Sequence, residues 1–292
     1  MFRTRFAPSP TGPLHLGHAY SALLASDMAV AQSGAFLLRI EDIDQSRARP
    51  QWEAQIYDDL AWLGLSWPTP VLRQSERLAV YRSTLDKLWR AGLAFACSCS
   101  RRDILDAVSA PQEGTTPATG PDGLIYPGTC RANTSRTGPP PAHMALRLNM
   151  TLAAARGTVF SFLETGQGPH GETGLIEFTA KEAIETIGDI VLARRDMGTS
   201  YHLSVVLDDA AQGITHVVRG QDLFEATRIH VILQTLLGLP TPVYHHHALI
   251  RDESGKRLAK RDDARAIATY REDGATPADI RAMVGLQSET RP

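Results

Sequence analysis

Residues 2–6, Phe-Arg-Thr-Arg-Phe, alternate apolar and polar, the period of a half-buried strand. The following Ala7-Pro8-Ser9-Pro10-Thr11-Gly12-Pro13 cannot extend it, because prolines remove ladder donors and fix the backbone. The pattern then predicts a helix from about Leu14 to Gln32, with Thr11 or Gly12 as cap candidates and Pro13 at the first turn. Gly34 closes it, and Ala35 to Ile40 read as a second, apolar strand running into Glu41-Asp42-Ile43-Asp44. Strand, loop, helix, strand is the opening unit of a parallel α/β sheet.

Amphipathic helices are expected at about Trp52–Leu63 and Ser75–Ala91. From about Phe95 to Arg147 the character changes: all three cysteines lie here, with two stretches rich in Gly, Pro, Ser and Thr at 109–121 and 133–141 that read as surface loops. Strand-like segments return at Asp189–Val191, Ser204–Asp208 and His216–Val218, followed by a helix over Leu223–Leu237. The simplest parse is an α/β, Rossmann-type nucleotide-binding domain made of 1–92 and 188–265. It is interrupted by an α+β subdomain at 93–187 and followed by a short helical segment at 266–292.

The most informative turn is Leu14-His15-Leu16-Gly17-His18. Two histidines three apart at a helix start project from one face. The same turn offers unpaired N–H groups and the positive end of the helix dipole, where a phosphate binds. Imidazoles there can donate to the charge that builds on an α-phosphate. Gly17 leaves no side chain between the helix and a flat ring. A second phosphate element is the basic run Gly255-Lys256-Arg257-Leu258-Ala259-Lys260-Arg261, a glycine-flanked loop able to close over a nucleotide. Arg5 and Arg219 each lie at a strand end, where an open α/β sheet binds ligands, and an arginine fork matches a planar carboxylate.

Arg5-Phe6-Ala7-Pro8-Ser9-Pro10-Thr11-Gly12 with His15-Leu16-Gly17-His18 closely resembles the start of the glutamyl-tRNA synthetases, class I synthetases with a "HIGH" motif. The likeness extends to Glu41, to the stretch from Tyr201 to Leu223, and to the "KMSKS"-like positions 257–261. It implies a class I catalytic domain that activates L-glutamate with ATP and Mg²⁺. His15, His18 and Lys260 would act in catalysis, and His15, Gly17, His18, Arg257, Leu258 and Lys260 would bind ATP. Arg5, Phe6, Ala7, Pro8, Ser9, Glu41, Tyr201 and Arg219 would hold glutamate, with Glu41 on the ammonium and the arginines mainly on the side-chain carboxylate. Arg257 replaces a lysine of the family pattern and Ala259 a serine, which bears on loop closure rather than on the reaction. No Ser-His-Asp or Cys-His nucleophile is required, because the substrate's own α-carboxylate attacks ATP.

Cys97-Ser98-Cys99 and Cys130 offer three thiolates, and a closed tetrahedral zinc site wants a fourth ligand. In short relatives of the family a Cys-x-Cys pair with Tyr-x-x-x-Cys binds Zn²⁺, which implies Tyr126; His143 or a water are the other choices. The run His245-His246-His247 cannot converge on one ion if it is a strand, since successive side chains alternate. After Lys260 about thirty residues remain, beginning one capped helix at Thr276-Pro277-Ala278-Asp279, so no anticodon-binding region is expected. The short members of the family attach glutamate to the queuosine base of tRNA(Asp), and that is the partner the resemblance implies. The rival expectations are charging of tRNA(Glu) and a non-catalytic RNA-binding module.

Composition narrows little further. The 292 residues, 43% hydrophobic and 21% charged, suit an ordinary globular protein, and a formal charge of −2 offers no bulk field for nucleic acid. With no signal-like N-terminus, no apolar run near ~18 residues and few cysteines, a cytoplasmic monomer is expected.

Overall fold

The computed structural model describes residues 1–109, 118–132, 138–250 and 265–286. The first half runs β1 (Arg3–Phe6), α1 (Leu16–Ala31), β2 (Ala35–Ile40), α2 (Pro50–Trp62), β3 (Leu72–Arg73), α3 (Leu78–Arg90), β4 (Ala94–Cys97), α4 (Arg101–Ser109), β5 (Thr119–Gly120), β6 (Gly123–Leu124), β7 (Ala145–Leu148) and α5 (Met150–Ala154). There follow β8 (Val159–Glu164), β9 (Gly174–Thr179), α6 (Ala180–Glu182, continued as a wider turn to Ile187), β10 (Val191–Ala193), α7 (Tyr201–Ala211), β11 (His216–Gly220), α8 (Ala226–Leu237), β12 (Val243–His247), α9 (Ile267–Glu272) and α10 (Pro277–Met283).

β1, β2 and β3 form one parallel sheet, and β11, β12, β8 and β9 form a mixed one, parallel except for the antiparallel β8–β9 pair. The two meet at β1 and β11, where Thr215 N–H donates to the Arg3 carbonyl at 3.0 Å and Arg3 N–H to Thr215 Oγ1 at 2.8 Å. β1 therefore has β2 on one side and β11 on the other, and the crevice beyond the carboxyl ends of β1 and β11 is where such a sheet holds a ligand. α1 covers this junction with a face of small residues, Ala19, Ala22, Ala25 and Ala29, all buried, which lets it lie close on the strands. Gly34 follows because a Cβ there would come within 2.4 Å of the Phe2 carbonyl.

Three expectations change. α1 is capped by His15 rather than by Thr11 or Gly12, because His15 bridges Ala266 and the Leu14 carbonyl accepts from Ile267, holding the backbone extended up to the cap. Ser204–Asp208 is not a strand but the middle of α7: Ser200 accepts from Leu203 N–H to start the helix, and its apolar run is buried on both sides. A short buried apolar run has no period that separates strand from helix. Thirdly, β8 and β9 fall within 93–187, yet β8 pairs with β12, so this hairpin extends the sheet of the nucleotide domain. β4, β7 and β10 make a separate antiparallel sheet.

Buried carboxylates lock α7 in place. Asp208 accepts from Gln74 Nε2, Arg77 Nε and Tyr81 Oη at 2.6–2.9 Å, and Asp209 accepts from Arg5 and Arg39. No helix among the described residues is long and apolar enough to cross a membrane.

Candidate active site and metal cluster

A cleft of about 390 Å³ opens at the predicted crevice. It is lined by His15, Gly17, His18 and Ser21 of the α1 start and by Leu249 and Ile250. The same cleft is lined by Arg5, Phe6, Ala7, Glu41, Tyr201 and Arg219. A second cleft of about 260 Å³ shares Glu41 and Tyr201 as a wall and adds Ser9, Thr11, Asp122 and His202. Ser9 thus faces the neighbouring space, and Pro8 borders neither cleft, its carbonyl accepting from Glu41 N–H. Arg257, Leu258 and Lys260 lie outside the described residues. The segments flanking them are at the cleft: Ile250 lines it, and Ala266 bridges His15.

The α1 start fixes both imidazoles. Gly17 N–H donates to His15 Nδ1 at 3.1 Å, and His15 N–H donates to His18 Nδ1 at 3.2 Å, a reciprocal capping box built from histidines. With Nδ1 an acceptor in each, the neutral rings carry their protons on Nε2. The rings stand 3.8 Å apart between centroids.

The two arginines of the cleft differ in kind. Arg5 is buried against Asp209, with Nε and NH2 at 3.0 and 3.3 Å from its two oxygens. Arg39, fully buried, bridges Asp209 at 2.6 Å and Glu41 at 3.0 Å. Burial alone would raise the Asp209 carboxyl, but Arg5 and Arg39 outweigh it and hold it below its ordinary value. Glu41 is raised by burial, which Arg39 offsets only in part. Arg219, only 6% exposed, has no carboxylate partner among the described residues. It donates instead to His246 Nε2, His230 Nδ1, the Leu223 carbonyl and Thr227 Oγ1 at 2.7–3.2 Å. Those bonds occupy most of its N–H groups, so a two-pronged fork toward a ligand, as expected from the sequence, is not presented. What reaches the cleft is the charge and one remaining NH1 hydrogen.

The three consecutive histidines of β12 take three different partners. His245 meets Thr165, His246 meets Glu164 and Arg219, and His247 Nε2 lies 2.7 Å from Ser21 Oγ. They form no metal group among the described residues. Sequence reasoning missed Arg39, Asp209, His230 and Glu164, all of which support the cleft.

The cysteines do gather. Cys97, Cys99 and Cys130 are free thiols whose sulfurs lie within 4.8 Å of one another, and Cys97 and Cys99 are 3.4 and 3.5 Å from Tyr126 Oη. Arg147 stacks over the Tyr126 ring at 4.1 Å while donating to the Asp189 carbonyl. Burial opposes ionisation of Cys130, but hydrogen bonds from Tyr126, Ser98 and Cys99 hold its thiol down to about 6. His143 is exposed and does not join the group.

A parallel sheet with a histidine-bearing helix start beside a cleft at its strand ends is the architecture of the catalytic domain of a class I synthetase. The catalytic-domain family of class I tRNA synthetases of the glutamate and glutamine (E and Q) type matches residues 1–118 and 171–290, and the chain belongs to it. It is 64% identical to the glutamyl-Q tRNA(Asp) synthetase of Rhodobacter capsulatus over 97% of this chain and 99% of that protein. It is 40% identical to the protein of the same name from Nocardia farcinica, over 96% of this chain and 82% of that one. Among solved structures, a glutamate tRNA ligase from Elizabethkingia meningosepticum, in complex with its amino acid, superposes with a TM-score of 0.72 at 27% identity. This match covers 97% of the chain, which spans 60% of that longer protein. The methionyl-tRNA synthetase of Mycobacterium tuberculosis shares the fold, with a TM-score of 0.59 at 11% identity.

Proposed function

We propose that the chain activates L-glutamate with ATP as glutamyl-adenylate, without needing tRNA, and then transfers glutamate to the queuosine base of tRNA(Asp). The observation that carries the first half is Arg219. A buried guanidinium with no carboxylate partner among the described residues is costly, and a substrate carboxylate in the cleft supplies the balancing charge. The transfer half rests on the names of the two relatives, which specify that acceptor, the first of them matched over 99% of its length.

In this reading the side-chain carboxylate of glutamate meets Arg219, with Arg5 alongside, and the ammonium meets Glu41, whose raised carboxyl is relieved by a cation. Tyr201 and Ala7 close the pocket around the chain of methylenes. The α-carboxylate then lies toward the α1 start, where its oxygen attacks the α-phosphate in line and pyrophosphate leaves. The Nε2–H groups of His15 and His18 donate to the charge that develops on that phosphate. The resemblance assigns Lys260, Arg257 and Leu258 to the nucleotide, and the described residues on either side of them, Ile250 and Ala266, lie at the cleft and at His15. Mg²⁺ enters with the triphosphate.

The sulfur cluster is suited to Zn²⁺: three thiols and a phenol converge, and none is consumed in a disulfide. Cys97, Cys99, Tyr126 and Cys130 would hold the ion, which would supply a structural cross-link to a loop-rich region.

The test is ATP–pyrophosphate exchange with glutamate alone, followed by transfer of labelled glutamate to tRNA(Asp) with and without queuosine. The reading expects exchange without RNA, and transfer only to the queuosine-bearing tRNA. Exchange that needs tRNA(Glu) would assign the chain to ordinary charging, and no exchange would leave an RNA-binding module.

A further inference from the structure

Two of the groups that surround Arg219 are imidazoles, and their protonation is dictated by their neighbour. A guanidinium only donates, so His246 Nε2 at 3.1 Å and His230 Nδ1 at 3.2 Å must both be unprotonated acceptors. Each neutral ring then carries its single proton on the opposite nitrogen. For His246 that is Nδ1, 2.5 Å from Glu164 Oε2. For His230 it is Nε2, 3.2 Å from His202 Nδ1, which must accept and so pushes the proton of His202 to Nε2, 3.4 Å from Asp122 Oδ1. Two chains leave Arg219, one through His246 to Glu164 and one through His230 and His202 to Asp122, and each ends on a carboxylate.

Burial keeps the inner rings neutral. Desolvation and then the Arg219 charge hold His230 well below the ordinary imidazole range, and desolvation lowers His246 with Glu164 opposing it. A carboxylate in either place would cancel the charge of Arg219 locally, as Asp209 does for Arg5. An imidazole that can only accept fixes the guanidinium in its plane and leaves its charge standing.

We infer that His230 and His246 are positioning residues for substrate selection, and that Glu164, His202 and Asp122 hold them in the tautomers that let Arg219 demand a carboxylate rather than an amide. This rests on the reading that Arg219 meets the substrate side chain. Glutamine brings no charge to the site, so it leaves the guanidinium uncompensated. Asp122 belongs to the segment between the two parts of the nucleotide domain and lines the second cleft, so the longer chain also ties that segment to amino-acid recognition.

The experiment pairs ¹⁵N NMR of the histidine side chains in the full-length protein with glutamate-dependent ATP–pyrophosphate exchange. At about pH 7.5 the spectra should show neutral Nε2–H tautomers for His230 and His202 and a neutral Nδ1–H tautomer for His246. A cationic His230 or His246, or either in the opposite tautomer, overturns the inference. His230→Leu should raise the glutamate KM by about 10–100-fold while the ATP KM stays within about twofold, the signature of lost amino-acid binding. His230→Asn, which returns an oxygen near the Nδ1 position, should recover all but about fivefold of that loss and keep the preference over glutamine. A leucine variant with an unchanged glutamate KM, or an asparagine variant no better than leucine, overturns it as well. If the leucine variant does not fold, the asparagine variant and the tautomers still decide. Absence of glutamate-dependent exchange in the unaltered protein would remove the functional reading, a result distinct from wrong tautomers.

Discussion

Burying a guanidinium among imidazoles, a hydroxyl and a carbonyl costs solvation that only an arriving anion restores, which makes Arg219 the most diagnostic single position. Arg219→Gln should lower kcat/KM for glutamate in pyrophosphate exchange by about 10²–10³-fold, the ~3–4 kcal/mol of a lost buried charge contact, without moving the ATP KM. Arg219→Lys should recover little, because an ammonium cannot satisfy four acceptors set around a plane. A second residue-scale prediction concerns Asp59, 1% exposed with Oδ2 unpaired, whose carboxyl is pushed up to about 6 by burial and then by Asp58. An acid with its folded value raised favours the fold when protonated, so its stabilising share is full below the unfolded value near 4 and is lost as the pH climbs through about 6. Asp59→Asn should therefore stabilise the protein by about 1–3 kcal/mol at neutral pH, and the gain in Tm should shrink toward pH 4. An equal gain at both pH values would contradict the assignment of cost to the ionised form. Which residues could be read in advance follows from their locality. His15, His18, Arg5, Glu41 and Arg219 sit in runs whose neighbours set a strand end or a helix start. Asp209 and Arg39 are 170 positions apart, and His202 and His230 meet only after α7 and α8 pack, so nothing local marks them.

The α1 start shows how one element serves both stability and chemistry. His15 is the N-cap through Nδ1 and, in the proposed mechanism, a phosphate donor through Nε2, two roles that substitution can separate. Asparagine carries an oxygen at nearly the same reach as Nδ1, so His15→Asn should keep stability within about 0.5 kcal/mol and still cost about 10²–10³-fold in exchange. His15→Ala should add a further loss of about 1 kcal/mol from the empty cap, read as a lower Tm. Equal stability of the two variants would show that the cap contributes nothing. The elements read best from sequence were those bounded by strong punctuation: β2 matches its predicted Ala35–Ile40 span, and β1 ends where the prolines begin. α7 was misread because a helix buried on both sides loses its polar face, and with it the period of 3.6. β8 went unmarked although its alternation is plain, with Phe160, Phe162 and Glu164 inward and Val159, Ser161 and Leu163 outward. Glu164, the partner of His246, was hidden with it.

At the scale of the molecule, the cysteine cluster and the nucleotide cleft belong to different packing units. The cluster has its own small core with Phe95, apart from the two larger ones around the sheet. β4, which carries Cys97, pairs with β7 rather than with any strand of the nucleotide domain. A metal that staples a small core should stabilise that unit in particular, because the metal-bound form is the folded one. Protein prepared without added metal should thus contain about one zinc per chain, and stripping it with a strong chelator should lower Tm and expose the 94–132 region to proteolysis. Glutamate-dependent pyrophosphate exchange should survive within about threefold, since β1, α1, α7 and β11 do not rest on the cluster, whereas transfer to tRNA should fall by about tenfold or more if that unit meets the acceptor. Cys130→Ser should reproduce the chelated state, and restored zinc should rescue the chelated protein but not the variant. The outcome that would sink this division is loss of exchange in step with loss of metal. The two units would then fold as one, and the link through Asp122, His202 and His230 would be the route by which the insertion reaches the amino-acid pocket.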